Sequence, residues 1–229
     1  PSVPFAQVLQ RMEKLLKKEI GMDVDFEGAK DIISDGSRRA IKRIFYFLQG
    51  RPQAKSEMRR VENLPEVSNE NILFATSKAI GPGDKKIWHI AYVPPEKFNY
   101  FNSYDVANEI RMLNSELANL GERGKYFLAV PGRLGSLDPH DGITVQFHMV
   151  NHAAVVTERM MKDWEPSLGS HFFQNIIDSE IAYMHYKDPA MLRLENIGRI
   201  ARTHAGAHVI HYELSSPAEF LIDQKGHSL

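Results

Sequence analysis

Between Pro131 and Asn175 the chain reads PGRLGSLDPHDGITVQFHMVNHAAVVTERMMKDWEPSLGSHFFQN, its densest run of groups able to contact an anion. Arg133 stands between Gly132 and Gly135, followed by Ser136, Asp138 and His140; Gly169, Ser170, His171, Gln174 and Asn175 close the stretch. Glycines let backbone amides approach a ligand closely, and a guanidinium fork can grip two oxygens at once. Arg133, Ser136 and Asp138 are therefore candidates for holding a phosphate or carboxylate group. The same residue types also build tight turns capped by Ser and Asp side chains, and that reading stands beside the first.

Two other constellations could do chemistry. In MDVDF, Asp23 and Asp25 alternate with apolar residues, so a strand would carry both carboxylates on one face. Paired acids on a strand suit Mg²⁺ on a nucleotide, since that ion takes carboxylate and phosphate oxygens together; two solvated acids are the plainer alternative. His204, His208 and His211 stand at i, i+4 and i+7. On a helix they would share a face and could bind zinc. If Ala207 to Leu214 is a strand, as VIHYEL suggests, His208 and His211 point to opposite faces and the cluster dissolves.

Composition restricts the partners. The chain has 229 residues, 43% of them apolar, with 28 Lys and Arg against 29 Asp and Glu for a net charge of -1. That balance favours neither nucleic acid nor an anionic membrane surface. Without cysteine there is no disulfide, thiolate metal site or thiol nucleophile, which fits a reducing compartment. No apolar run reaches the roughly 18 to 20 residues that cross a bilayer, and the first residues lack the apolar core of a signal peptide. A cytoplasmic protein is expected.

The elements that must position these residues follow from periodicity. Phe5, Val8, Leu9, Met12, Leu15, Leu16 and Ile20 fall at helical spacing before Gly21, which predicts an amphipathic helix with a glycine C-cap. MDVDF and IFYFLQGRP read as strands, and the polar run from Gln53 to Asn71 as a linker. ILFATSKA, KIWHIAYV and KYFLAVPG are strand candidates, with a helix of about four turns over Val106 to Leu120. ITVQFHM, AAVVTER and IAYMHY are further strands, HFFQNII and MLRLENIGRIAR helices, and HVIHYEL and EFLID late strands. Alternating helices and strands predict an α/β (or α+β) fold.

GRLGSLDPHDGITVQF and EPSLGSHFFQN resemble signatures of bacterial PEP/pyruvate-binding proteins related to pyruvate phosphate dikinase and phosphoenolpyruvate synthase. Leu134 stands where those signatures have Trp, and Ser170 where they have Thr. MDVDF and IFYFLQGRP resemble the closing strands of the ATP-grasp domain in that superfamily, with Asp25 where the family usually has Glu. The resemblance extends to about Tyr186. It implies that residues 1-55 end an ATP-grasp-like nucleotide-binding domain, that 56-70 link it onward, and that 71-229 form a mixed α/β domain carrying both signatures. It further implies that Asp23, Asp25 and Gln49 hold Mg²⁺ on the phosphates of ATP, with Arg51 beside them. His171, inside the second signature, becomes an anion ligand or general acid, or a histidine that bonds a loop carbonyl. NHAAVVTER resembles the phosphohistidine motif of dikinases, in which His152 would carry a phosphoryl group to pyruvate; Asn151 replaces the usual Ser, and the preceding Gly-Gly is missing. Starting at Pro1, at a point deep inside such a domain, the chain reads as part of a longer polypeptide that would complete the nucleotide site.

Two function classes follow. The chain is the C-terminal portion of an ATP-dependent phosphotransferase that binds phosphate, phosphoenolpyruvate or pyruvate, or it is a non-catalytic anion-binding or interaction module of a larger regulatory protein.

Overall fold

The computed structural model describes residues 5–20, 24–34, 41–52, 59–161, 164–198 and 200–229, with the backbone alone at 20, 24–25, 32–34, 41–43 and 51–52. The chain divides into two units, Pro1–Ser56 and Glu57–Leu229.

In the first unit, helix α1 (Phe5–Ile20) accompanies a long antiparallel hairpin of β1 (Val24–Ser34) and β2 (Ile41–Pro52). Phe5 of α1 meets Phe45 of β2 edge to face at 5.5 Å, and the Lys30 ammonium lies over the Phe5 ring. The polar segment after MDVDF, expected to connect two short strands, instead extends them, with pairing running from Val24↔Pro52 to Ser34↔Ile41. Ladder hydrogen bonding does not depend on side-chain polarity, so a two-stranded hairpin can be long and largely solvated.

The second unit is built on a six-stranded mixed sheet in the order β8-β7-β4-β3-β10-β9, an α/β arrangement. Strands β3 (Lys85–Tyr92), β4 (Tyr126–Pro131), β7 (Ala153–Arg159) and β8 (Ala182–Tyr186) run parallel. β10 (Ile210–Phe220) pairs antiparallel with β3, and β9 (Ile200–Ala205) pairs antiparallel with β10 at the edge of the sheet. Every residue of β4 is buried, as a central parallel strand covered on both faces requires.

Helix α2 (Ser103–Ala118) joins β3 to β4, and α3 (His171–Asp178) joins β7 to β8. Between β4 and β7 lie two short parallel strands, β5 (Arg133–Leu134) and β6 (Gly142–Ile143). Apolar residues of all three connections (Val106, Ile110, Leu134, Ile143, Phe172, Ile176) pack into one cluster with Tyr126, Leu128, Val156 and Tyr183 of the sheet. Strands added successively in one direction with crossovers of one hand place every connection on the same face. The opposite face is covered by irregular chain, including Phe74, Leu192, Leu194 and Ile222 over Ile90, Phe127, Val155 and Met184.

Several expected elements differ. ITVQFHM is not a strand beyond Ile143: Val145 turns into the core and Phe147–Met149 forms a single 3-10 turn. MLRLENIGRIAR is not a helix but two 3-10 turns, Pro189–Met191 and Leu194–Asn196, leading into β9. ILFATSKA pairs only through isolated bridges at Phe74 and Thr76, with a further bridge at Ile80 just after it. The segment expected to be a free linker is attached at Val61, whose N–H donates to Ile222 O at 2.9 Å.

Candidate functional site

The signature loop leaves the end of β4 with Gly132 at φ +78°, its N–H bonded to Arg159 O at 2.7 Å. A Cβ there would come within 2.2 Å of the Trp164 ring, and one at Gly135 (φ +73°) within 2.4 Å of Phe172. The Gly135 N–H bonds Ile143 O at 3.2 Å. These glycines thus serve close packing and left-handed backbone, and both their amides are spent within the chain.

Ser136 and Asp138 are engaged in the turn. Ser136 Oγ donates to Asp138 O at 2.9 Å, and Asp138 Oδ1 accepts from His140 N at 2.9 Å. Ser103, opening α2, ties down the loop's far end by donating to Gly142 O (2.9 Å) and accepting from Thr144 N (3.0 Å).

What joins the two signatures is Glu158, a fully buried carboxyl on β7. Its Oε1 accepts from Leu134 N at 2.8 Å and its Oε2 from Ser167 N at 2.9 Å. Ser167 Oγ and the Tyr183 hydroxyl contact it as well, and Ser167 Oγ donates to Leu134 O at 3.0 Å. One carboxyl therefore binds GRLGS, PSLGS and β8 together. Burial pushes its pKa up, against the opposing pull of its hydrogen bonds to Ser167, Tyr183 and Leu134.

Ser170 caps α3, its Oγ accepting from Phe173 N at 3.2 Å and donating to Ser167 O at 2.6 Å. His171 is the first residue of that helix and is exposed. Arg133 is half-buried; its Nε is wholly buried and has no hydrogen-bond partner. Arg159 Nε, Thr157 Oγ1 and His185 Nδ1 share that condition, among the described residues. Arg159 ends β7 and His185 is the penultimate residue of β8. Arg133, Arg159 and His185 thus lie at or just past the carboxyl ends of parallel strands, with Thr157 two residues before the end of β7, the region where open α/β sheets bind their ligands. Burial lowers the His185 pKa, as do Lys78 and Lys187 nearby. Thr157, Arg159 and His185 went unnoticed in the sequence; the signal was the polar TER closing the apolar run AAVV.

His152 is held structurally: its N–H donates to Asn114 Oδ1 (3.0 Å) and its Nε2 meets Gly121 O at 3.0 Å. Since a carbonyl only accepts, Nε2 carries the proton and Nδ1 alone keeps a lone pair. Burial and Lys125 lower its pKa.

The late histidines do not share a helical face. His211 sits opposite His204 across β9 and β10, while His208 lies between the strands with Nδ1 3.3 Å from Lys97 O. His211 Nε2 instead meets His89 Nδ1 of β3 at 3.1 Å, and His89 Nε2 bonds Arg123 O at 3.0 Å. Among the described residues, no group of three or more His, Cys, Asp or Glu could hold a metal ion.

In the first unit, Asp23 lies outside the described residues. Pairing sets Asp25 opposite Arg51 and Glu27 opposite the exposed Gln49.

An open cleft of about 890 Å³ lies elsewhere, between Pro65–Phe74, Glu195–Gly198 and Leu214–Leu221, and none of the sequence-derived site residues lines it.

The second unit is thus an α/β protein whose connections cover one face of a mixed sheet and whose unpartnered donors, among the described residues, lie toward the carboxyl ends of its parallel strands on both faces. No protein-family model, curated protein or solved structure matches the chain. No helix among the described residues is long and apolar enough to cross a membrane.

Proposed function

We propose that Glu57–Leu229 binds a small phosphate- or carboxylate-bearing molecule, phosphate or phosphoenolpyruvate being the test ligands, at Arg133. The observation carrying this reading is the buried, unpartnered Nε of Arg133 beside the signature loop. A buried guanidinium N–H without an acceptor is costly, and an anion reached by that N–H and a terminal N–H of the same fork offsets the cost with two parallel charge-assisted bonds. In the larger setting implied by the sequence resemblance, this unit holds the substrate of an ATP-dependent phosphotransferase of the phosphoenolpyruvate synthase or pyruvate phosphate dikinase type. Asp23, Asp25, Gln49 and Arg51 would then hold Mg²⁺ and ATP phosphates together with further sequence of the parent polypeptide; bound there, the nucleotide would supply the phosphoryl group.

A second reading, anion binding without chemistry, is favoured by the engagement of His152, whose N–H is held by Asn114 Oδ1 and whose Nε2 is occupied by Gly121 O. The two readings diverge on His152. Incubating the full-length parent protein with ATP and Mg²⁺ gives an acid-labile, base-stable mass gain on His152 if phosphoryl transfer passes through it. An unlabelled but ATP-hydrolysing parent eliminates that role.

Anion binding itself is tested by calorimetric titration with phosphate and phosphoenolpyruvate. Arg133→Ala removes a charge-assisted interaction worth about 1.5 to 3 kcal/mol, weakening affinity roughly 10 to 150-fold. Arg133→Lys keeps the charge but loses the planar fork and falls between. A lower melting temperature with no anion binding in either protein would leave Arg133 a purely structural residue.

A further inference from the structure

A second set of unpartnered donors lies on the face of the sheet opposite α2 and α3. Along β7, Val155, Thr157 and Arg159 share one side by alternation, and Val155 packs there in the cluster containing Ala129, Met184 and Tyr186, with Tyr92 half-buried against it. Thr157 is fully buried, and its Oγ1 has no partner; the same holds for the buried Nε of Arg159. Register brings the rest together. Arg159 pairs with Tyr186 on β8 and with Pro131 on β4, and Tyr92 on β3 pairs with Ala129. Tyr92, Arg159 and Tyr186 are each the last residue of a parallel strand. On this face β4 places Ala129 between Tyr92 and Thr157, and Pro131 beside Arg159.

We propose that Arg159, with the hydroxyls of Thr157, Tyr92 and Tyr186, forms a binding site for the phosphate or carboxylate group of a small molecule. Arginine offers donors in a plane that matches such an anion, and hydroxyls add single donors around it. Both phenols stay protonated, and so remain donors, through the neutral range. Burial raises the pKa of Tyr92, reinforced by Glu96 and opposed by Arg159, and burial and Tyr92 raise that of Tyr186, again opposed by Arg159. The charge of Arg159 thus reaches both rings. Glu96, exposed, and Tyr212, half-buried, are the other groups that bear on Tyr92.

This site does not depend on Arg133. The two guanidiniums belong to neighbouring backbone segments, Gly132 N–H bonding Arg159 O, but each site has its own variant. The full chain is titrated calorimetrically with inorganic phosphate and with phosphoenolpyruvate, as wild type, Arg159→Ala, Arg159→Lys, Tyr186→Phe and Arg133→Ala. Arg159→Ala weakens binding at one site at least about tenfold, and Tyr186→Phe about 3 to 10-fold, as loss of one hydrogen bond predicts. Phosphate also perturbs the tyrosine ultraviolet difference spectrum of the wild type, and Tyr92→Phe together with Tyr186→Phe abolishes that change. A merely structural Arg159 would lower the melting temperature while leaving affinity and spectrum untouched, which overturns the proposal. If Arg159→Ala does not fold, Arg159→Lys and the two phenylalanine variants decide by the same readouts. Binding lost only in Arg133→Ala overturns this site and keeps the first; binding lost only in the Arg159 and tyrosine variants does the reverse.

Discussion

Glu158 shows how a single buried side chain can organise two distant loops. Its carboxyl meets Leu134 N, Ser167 N, Ser167 Oγ and the Tyr183 hydroxyl, while Ser167 Oγ also bonds Leu134 O. Five contacts need five protons. An ionised Glu158 leaves only four, two amide and two hydroxyl; a protonated one supplies the fifth, donating to Ser167 Oγ, which then donates to Leu134 O. Burial acts in the same direction by raising its pKa. Because the folded-state pKa lies above the unfolded value, the stabilisation is fully present below the unfolded pKa, about 4.3, and is lost as pH rises through the folded pKa. Glu158→Gln is not neutral despite its shape, since its amide nitrogen must face either Leu134 N–H or Ser167 N–H. It should cost about 1 to 3 kcal/mol, a drop of roughly 2 to 12 °C in melting temperature for a unit of this size. It should also flatten the pH dependence of denaturant midpoints; an unchanged profile would remove Glu158 as its source.

The His89–His211 pair has the opposite sign. His89 Nε2 donates to Arg123 O, so Nδ1 accepts from His211 Nε2–H, and protonating His89 would set two N–H groups against each other. Burial lowers both pKa values; at His89 the hydrogen bond to Arg123 O, Glu213 and Glu116 oppose it and the Arg123 charge adds to it, while at His211 the His89 and His204 rings add to it and Glu116 and Glu213 oppose it. With folded pKa values below about 6.5, the stability is present above that pH and lost as pH falls through the folded values. Melting curves between pH 8 and 5 should therefore decline at the acid end, with His89→Gln declining less. Imidazole nuclear resonance titrations that placed His89 at or above its ordinary pKa would contradict this account.

At the scale of elements, α3 is short and depends on its start. Eight residues cannot sustain a helix in water alone, and Ser170 both caps Phe173 N and anchors to Ser167 O. Ser170→Ala should cost about 0.5 to 2 kcal/mol, whereas Ser170→Thr should cost little, because it restores the hydroxyl. Since Ser167 also touches Glu158, losses from Ser170→Ala and Glu158→Gln should not add; a double-mutant cycle checks it. Local pattern identified α1, α2, α3, β3, β4, β7 and β8, whose periodicity or continuous apolar runs mark them directly. It mistook ITVQFHM for a strand because the apolar residues of a loop folded over the core look the same as those of a strand. MLRLENIGRIAR showed helical spacing, yet its Leu192, Leu194 and Ile197 are spread over turns that cap the second sheet face, a tertiary demand that overrides local preference.

At the scale of the molecule, the division between Pro1–Ser56 and Glu57–Leu229 places the whole six-stranded sheet and both its hydrophobic clusters in the second unit. A chain beginning at residue 57 should fold cooperatively, with strand and helix signals in circular dichroism. The first unit, a helix on a hairpin with Tyr46, Phe47 and Leu48 exposed, should be unstable in isolation, because so short a segment buries too little surface. An unfolded 57–229 fragment would refute the division. The sequence by itself determined the α/β class and the loop in which Arg133 stands, since periodicity and glycine placement act over a few residues. It could not show that Glu158, unremarkable in AAVVTER, binds both signatures, or that Thr157, Arg159 and Tyr92 share one face. Those facts depend on strand order and register, which bring together residues tens of positions apart, and only the folded sheet decides which donors find partners and which are left for a ligand.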